Sequence, residues 1–341
     1  MLYFLSDYTE GAHPKLLESL ARTNLVSQPG YGEDEFCAAA REKIRQACGC
    51  PEAQVFFLVG GTQANLVTIS ALLGRTEAVI CAETGHIAVH EAGAIEYTGH
   101  KALTLPAVEG KLPAAELERY MEAFLANETR EHMTQPGMVY LSQPTELGTL
   151  YSKAELTTLY ALCRRYDLRL FIDGARLGYG LMSPAADLSL PELAGLCDVF
   201  YIGGTKVGAL CGEALVFPRG DAPRHFLTMT KQQGAMLAKG RLLGVQFDAL
   251  FTDGLYWQLG KWGVERAMEL KRAFREKGYP LYMDSPTNQQ FVILTPEQRE
   301  RLSREAAFEV WEPLPDGRTA VRFVTGWATQ KETVEALIRL L

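Results

Sequence analysis

This chain of 341 residues has no basic cluster, no bilayer-length apolar run and no paired cysteine motif, and each absence removes a class of function. Its 34 Lys and Arg against 41 Asp and Glu leave a formal net charge of -7. A nucleic-acid footprint needs cations gathered on one face. Here they are scattered, and the densest group, Lys271–Arg275, alternates with apolar residues as the wet side of a helix does. The longest apolar runs are strand-sized, far below the ~18 residues that read as a membrane span. Neither a nucleic-acid nor a membrane partner is expected. The opening Met1-Leu2-Tyr3-Phe4-Leu5-Ser6-Asp7 lacks a basic start and meets an acid too early for a secretory signal. Seven cysteines form an odd set without a CxxC pair, and Cys48-Gly49-Cys50 has no second pair to complete a metal site. The expectation is a cytoplasmic protein with reduced thiols and no metal.

What is present is a large hydrophobic fraction, 47%, in a chain long enough for about two domains. Short apolar runs recur: Val55–Val59, Ala78–Cys81, Met138–Leu141, Leu170–Ile172, Val199–Ile202 and Ala214–Phe217. Runs apolar on both faces fit a sheet covered by helices on each side. Helical spacing precedes the first run, over Glu33–Cys48, and separates later ones, as after Ser152-Lys153-Ala154-Glu155, whose Ser and Glu make a capping box. Alternation of strand and helix predicts an α/β fold with a mostly parallel central sheet. The last two runs are joined by only about ten residues, so one of them is expected to be antiparallel. After about residue 245 the texture changes. Helical patterns over Gln246–Gly260 and Val264–Lys277 precede two strand-like runs, Gln290–Leu294 and Thr319–Val324. The reading is a large domain over 1–245, to whose site the N-terminal segment contributes, and a smaller C-terminal α+β domain over 246–341.

In an open α/β sheet, ligands bind beyond the carboxyl ends of the strands, and several runs end there in chemically distinctive residues. Val55–Val59 leads into Gly60-Gly61-Thr62-Gln63-Ala64-Asn65 and an apolar helix. Small residues at such a turn let backbone amides and the helix terminus approach an anion, and Thr62 adds a hydroxyl. Leu170–Ile172 ends in Asp173-Gly174-Ala175-Arg176, and Val199–Ile202 in Gly203-Gly204-Thr205-Lys206. Lys206 has no charged neighbour in sequence, and burial makes an amine available as a nucleophile. Together an anion cradle, an acid and an amine are what pyridoxal 5'-phosphate (PLP) requires: Lys206 to hold it as a Schiff base, and Asp173 to keep its ring nitrogen protonated. An ion pair at about 3 Å in an effective dielectric of about 20 is worth about 5 kcal/mol. The acid precedes the amine by 33 residues (206 − 173), room for one helical connection and the next strand.

These motifs resemble the threonine aldolase group of fold-type-I PLP enzymes, which is related to the β-eliminating lyases. The similarity extends to Ser6-Asp7, Tyr31-Gly32-Glu33-Asp34, Glu83-Thr84-Gly85-His86, Glu91-Ala92-Gly93-Ala94, Gln143–Tyr151 and Gly234–Lys239. It covers residues 1 to about 250 well and the remainder loosely. The resemblance implies Lys206, His86 and Asp173 as catalytic residues, with His86 stacked on the cofactor ring. It implies Gly61 and Thr62 at the phosphate, and Arg176 and Thr205 among the remaining cofactor contacts. Ser6, Arg176 and Arg322 would receive the substrate carboxylate, for which the planar guanidinium fork is suited. Tyr31, with Lys231 a further candidate, would reach a neighbouring subunit's site, so a homodimer or homotetramer with shared sites is expected. His13, His100, His132 and His225 read as ordinary side chains, and His90 lies one turn from His86 if that stretch is helical.

The implied reaction is retro-aldol cleavage of L-threonine or a related β-hydroxy-α-amino acid to glycine and an aldehyde. One departure bears on it. Many threonine aldolases carry Thr-His-Asn where this chain has Pro144-Thr145-Glu146, and a low-specificity subgroup shares the Thr-Glu pattern. The base for the β-hydroxyl is then His86, a phosphate-bound water or Glu146. A PLP-dependent β-elimination or transamination would use the same anatomy, and a non-catalytic PLP-fold binding protein is the reading from a different class.

Overall fold

The computed structural model describes all of residues 1–341. Its strands are, in chain order, β1 (Leu2–Tyr3), β2 (Gln54–Leu58), β3 (Glu77–Ala82), β4 (Ala102–Leu105), β5 (Gln135–Ser142), β6 (Arg169–Asp173), β7 (Val199–Gly203), β8 (Glu213–Phe217), β9 (Leu281–Met283), β10 (Gln289–Leu294), β11 (Ala306–Ala307), β12 (Glu309–Pro313) and β13 (Thr319–Val324). Seven form one sheet in the order β2-β8-β7-β6-β5-β3-β4. From β7 across to β4 every pairing is parallel, whereas β8 runs antiparallel to both β7 and β2. All six apolar runs are strands of this sheet, and the short connection after β7 makes the expected antiparallel return. The strand that went unanticipated is β4, at the edge.

Alternation along the strands sends successive side chains to opposite faces. Val139, Leu141, Leu170, Ile172, Phe200 and Ile202 enter the larger core. Their neighbours Met138, Tyr140, Phe171, Val199 and Tyr201 enter a second core across the sheet. Both faces are thereby sealed by helices, as a parallel sheet demands. The helices start where the sequence places caps. Ser152 and Glu155 form the capping box of Lys153–Arg165, and Asp34 Oδ1 accepts from the Cys37 amide at 2.8 Å to open Glu35–Cys48.

The C-terminal portion differs from expectation in two ways. The helices predicted over Gln246–Gly260 and Val264–Lys277 are instead Arg241–Leu250 and a continuous Leu255–Glu276, because Asp253 and Gly254 adopt positive φ (52° and 67°) and turn the chain there. Apolar periodicity runs through this break, so spacing alone did not show it. The small sheet has four strands rather than two, in the order β12-β13-β10-β9, all antiparallel. Its core joins Val292, Leu294 and Phe323 to Leu270 and Phe274 of the long helix, and Phe4 packs into it. The first residues thus form a strap: β1 pairs with β11, and the Val324 amide donates to the Phe4 carbonyl at 2.8 Å.

Two glycines let the strand ends of β6 and β7 approach each other. The Gly203 amide donates to the Gly174 carbonyl at 2.9 Å. A Cβ on Gly174 would sit 1.9 Å from the Tyr201 carbonyl oxygen, and one on Gly203 would sit 2.2 Å from that of Ala175. The obstacle is backbone in both cases, so no rotamer change relieves it. Gly203→Ala should therefore cost about 2–3 kcal/mol or more in urea unfolding. Gly195→Ala, at a helical position where a Cβ meets nothing within 4 Å, should stay within about 0.5 kcal/mol of wild type or exceed it slightly.

Candidate active site

That close approach gathers the carboxyl ends of β5, β6 and β7 around one cavity of about 260 Å³. Gly61, Thr62, His86, Asp173, Arg176, Thr205 and Lys206 all line it. Seven of the ten sequence-predicted site residues are brought together, from four separate stretches of chain.

Asp173 is the best-held group. Its Oδ1 accepts from the Tyr201 hydroxyl at 2.5 Å and the Ala175 amide at 3.0 Å; its Oδ2 accepts from the Tyr140 hydroxyl at 2.5 Å and Asn65 Nδ2 at 3.1 Å. Burial by itself would favour the neutral acid. The charge of His86 and the donated hydrogen bonds outweigh it, so the carboxyl lies below its ordinary pKa and is an anion. Burial and the adjacent anion push both tyrosines well above the phenol range, so they stay neutral donors. The ladder explains the geometry. Tyr140 pairs with Phe171 across β5 and β6, and Ser142 pairs with Asp173 one step nearer the strand ends. Phe171 packs against both Tyr140 and Tyr201, and the two hydroxyls reach past it to the carboxylate.

His86 opens a short helix, His86–Val89. Its Nδ1 lies 2.7 Å from Glu91 Oε1, which also accepts from Asn65 Nδ2 at 2.7 Å. One amide group thus ties the Glu91 and Asp173 carboxylates together. Burial disfavours the imidazolium, but Glu91 and Asp173 outweigh it and raise the His86 pKa. His90 sits just past that helix with its ring 5.6 Å from that of His86.

Lys206 reaches the cavity from the turn after β7, its Nζ 5.8 Å from the Tyr8 ring centroid. Burial, then the charge of Arg176, hold its ammonium below the ordinary lysine range. Glu213, at the start of the antiparallel β8, accepts from the Gly204 amide at 3.0 Å and from Thr205 Oγ1 at 2.9 Å. Because β8 runs backwards, its first residue lies at the same sheet edge as the last residues of its neighbours. Burial pushes the Glu213 carboxyl up to about 8 against the lowering effect of Thr205 and Lys206.

The two arginines face an adjoining cavity of about 230 Å³ that shares Tyr8, His86, Glu146 and Lys206 with the first. Arg176 grips Asp7 through Nε (2.7 Å) and Nη2 (3.0 Å), and Asn288 Nδ2 donates to the same carboxylate at 2.9 Å. Asp7 covers one edge of the guanidinium and leaves the Nη1 side uncommitted. Arg322 donates to Gln289 Oε1 at 2.7 Å and pairs with Glu309, its guanidinium 5.4 Å from the Trp311 ring. Ser6 is half-buried and lines neither cavity. Tyr31 is exposed, with Lys231 Nζ 4.5 Å from its ring centroid, on a surface apart from both cavities.

Several residues of the site carried no assigned role in the sequence reading: Asp7, Tyr8, Asn65, Glu91, Tyr140, Tyr201 and Glu213. Two tyrosines in the strands flanking the Asp173 strand, each two residues short of its strand end, were the available clue. Glu213 opened a fully apolar run, where an acid has no packing reason to be.

Comparison with known proteins places these features in context. The family model for beta-eliminating lyase matches residues 4–295. The chain is 31% identical to the low specificity L-threonine aldolase of Pseudomonas aeruginosa, across 98% of this chain and 96% of that one. It is 26% identical to that of Escherichia coli, across 81% of this chain and 80% of the relative. Among solved structures, the threonine aldolase of Leishmania major superposes with a TM-score of 0.95 at 42% identity, covering 100% of this chain and 99% of that one. A Thermus thermophilus aspartate aminotransferase, 16% identical with a TM-score of 0.72 over 100% of this chain and 92% of that one, shares the fold alone.

The Glu213 carboxyl has a consequence for stability. The folded chain holds its proton up to about pH 8, whereas the unfolded chain releases it near the ordinary 4.5. Its contribution is fully present below the unfolded value and is lost as pH rises towards about 8. Glu213→Gln removes this titration. The melting temperature of the variant minus that of wild type should climb by several degrees from pH 5 to pH 8 and then level off. A difference flat across that range would contradict the assignment.

Proposed function

The chain belongs to the beta-eliminating lyase family, and we propose that its reaction is retro-aldol cleavage of an L-β-hydroxy-α-amino acid, with L-threonine as the reference substrate, to glycine and an aldehyde. The fold is that of the fold-type-I PLP enzymes. The observation that carries the reading is the pairing, around one cavity, of a lysine whose ammonium is destabilised with a buried carboxylate held by four donors.

The residues present fit PLP. The helix Gly61–Leu72 begins at Gly60 without a side-chain cap, leaving its first amides to an anion. A Cβ on Gly61 would lie 2.9 Å from the Tyr201 hydroxyl, so the absence of a side chain keeps this cradle open. Gly61, Thr62 and Thr205 would hold the phosphate, Lys206 the aldehyde carbon, and Asp173 the protonated ring nitrogen. When bound, the cofactor supplies a sink for the electron pair of a bond broken at Cα. Lys206, its proton loosened by burial and by Arg176, supplies the amine. Asp173, anchored by Tyr140, Tyr201, Asn65 and the Ala175 amide, does not move as charge develops beside it. His86, held by Glu91, would lie over the ring. Arg176, aimed by Asp7, and Arg322 would grip the substrate carboxylate and so set which bond at Cα stands perpendicular to the ring. Tyr31 and Lys231 would act on a neighbouring site in a homodimer or homotetramer, a reading supported by their exposure away from their own cavity. No helix is long and apolar enough to cross a membrane. We place the enzyme in the cytoplasm, which its seven free cysteines, five of them buried, support.

The test is product analysis on PLP-loaded protein. Incubation with L-threonine should yield glycine and acetaldehyde in equal amounts, and pyruvate with ammonia would overturn the reading in favour of elimination. Lys206→Ala should lose the visible absorbance of the bound cofactor. Arg176→Lys, which replaces a planar fork by a point charge, should raise KM by about 10-fold or more while cofactor absorbance is kept.

A further inference from the structure

Glu146 has a placement that the cofactor-holding roles above do not use. It follows β5 in the loop Gln143–Tyr151 and is the one acid that lines both the cavity around Asp173 and Lys206 and the cavity holding the two arginines. Its Oε1 accepts from the His86 amide at 2.9 Å and from the Ser142 hydroxyl at 2.6 Å. These donors come from two different elements and fix the plane of the carboxyl group. Its Oε2 accepts no hydrogen bond from the protein, and unlike Glu91 Oε2 it is not a sealed-off orphan atom. The side chain is only partly covered, and what uncovers it is the cavity. One oxygen is therefore anchored and the other presented to whatever lies between Lys206 and the arginines.

We propose that Glu146 is the base that takes the β-hydroxyl proton of the substrate. The proposal rests on the retro-aldol reading and assigns the one group that reading leaves open. With the carboxylate of the amino acid on the arginines and its amine near Lys206, the substituent on Cα would project towards Glu146, which lines both cavities. As Cα–Cβ breaks, the carboxylate takes the hydroxyl proton and the O–H pair closes the aldehyde C=O. With PLP bound, the Cα–Cβ electron pair would be taken up by the sink the cofactor supplies. Cα then gains one proton to give glycine, so each turnover moves one proton in net terms from oxygen to carbon, and no oxidant or reductant is needed.

His86 is the competing base, and the geometry argues against it. Its Nδ1 is committed to Glu91, and the nearby anions favour its protonated form, which has no lone pair to accept a proton. The groups that face Glu146 are His86, Asp173, Tyr140, Tyr151 and Cys81. Burial is the largest influence on Glu146 and raises its carboxyl above the ordinary range; the Ser142 hydrogen bond and the His86 charge oppose that rise, while Asp173 adds to it. A base with a raised pKa holds an abstracted proton better than an ordinary carboxylate does.

The experiment compares wild type with Glu146→Gln, which keeps an oxygen acceptor for His86 and Ser142. Three quantities are read on the PLP-loaded proteins: aldehyde release from L-threonine, exchange of the glycine α-proton in D2O, and cofactor affinity from visible absorbance. Glycine has no β-hydroxyl, so its exchange does not need this base. The expected result is a kcat for aldehyde release lowered about 10²–10⁴-fold, with glycine exchange and cofactor affinity at wild-type levels. The acid limb of the wild-type kcat/KM profile should also vanish in the variant. Aldehyde release at the wild-type rate would overturn the proposal. Loss of glycine exchange or of cofactor affinity together with aldehyde release would overturn it too, by showing that Glu146 merely positions the site. If wild type itself released no aldehyde, the retro-aldol reading would fail instead.

Discussion

The rest of the site depends on keeping a fully buried carboxylate, Asp173, ionised. An isolated anion in such a place takes up a proton rather than pay several kcal/mol for its desolvation. Here two phenols, a side-chain amide and a backbone amide surround it, and the His86 charge tips the balance. All of these donors are placed by the sheet. Tyr140 and Tyr201 come from the strands on either side of β6, and their register is set by backbone ladders rather than by flexible loops. A ring nitrogen placed against this carboxylate meets a partner that has already been desolvated and oriented.

Around that fixed anion the charges alternate. His86 lies between Glu91 and Asp173, Arg176 between Asp7 and the open cavity, and Arg322 beside Glu309. Lys206 is the exception, since burial and Arg176 both work against its ammonium. An amine in this position gives up its proton more readily than its neighbours lose their charges. Glu213 completes the pattern as a carboxyl that burial pushes towards neutrality, so it adds little negative charge beside Thr205 and Lys206.

Much of this was legible in the amino-acid sequence, and what was missed has physical reasons. The six apolar runs, the antiparallel return after β7 and the capping box at Ser152 follow local rules, and all are present. Asp173 and Lys206 could be paired because each sits in a short motif at a strand end. Tyr140 and Tyr201 escaped notice because nothing within either strand distinguishes a phenol that packs from one that donates; only their alignment across three strands does. Asp7 and Asn288 lie 281 positions apart, and their meeting at Arg176 is a property of tertiary closure alone. The break at Asp253-Gly254 was hidden for the opposite reason, since apolar spacing continued through a turn fixed by two positive φ angles.

The Asp7 fork makes one half of the site depend on the N-terminal strap. Every group around Asp173 and Lys206 lies between Val59 and Glu213, apart from Tyr8, so the large sheet can complete that half of the cavity by itself. Arg176 by contrast is oriented by Asp7 of the N-terminal strap, whose carboxylate also accepts from Asn288 of the C-terminal portion. A chain with its large sheet formed and its strap loose would hold the pocket around Asp173 and Lys206 while Arg176 lacked the carboxylate that orients it.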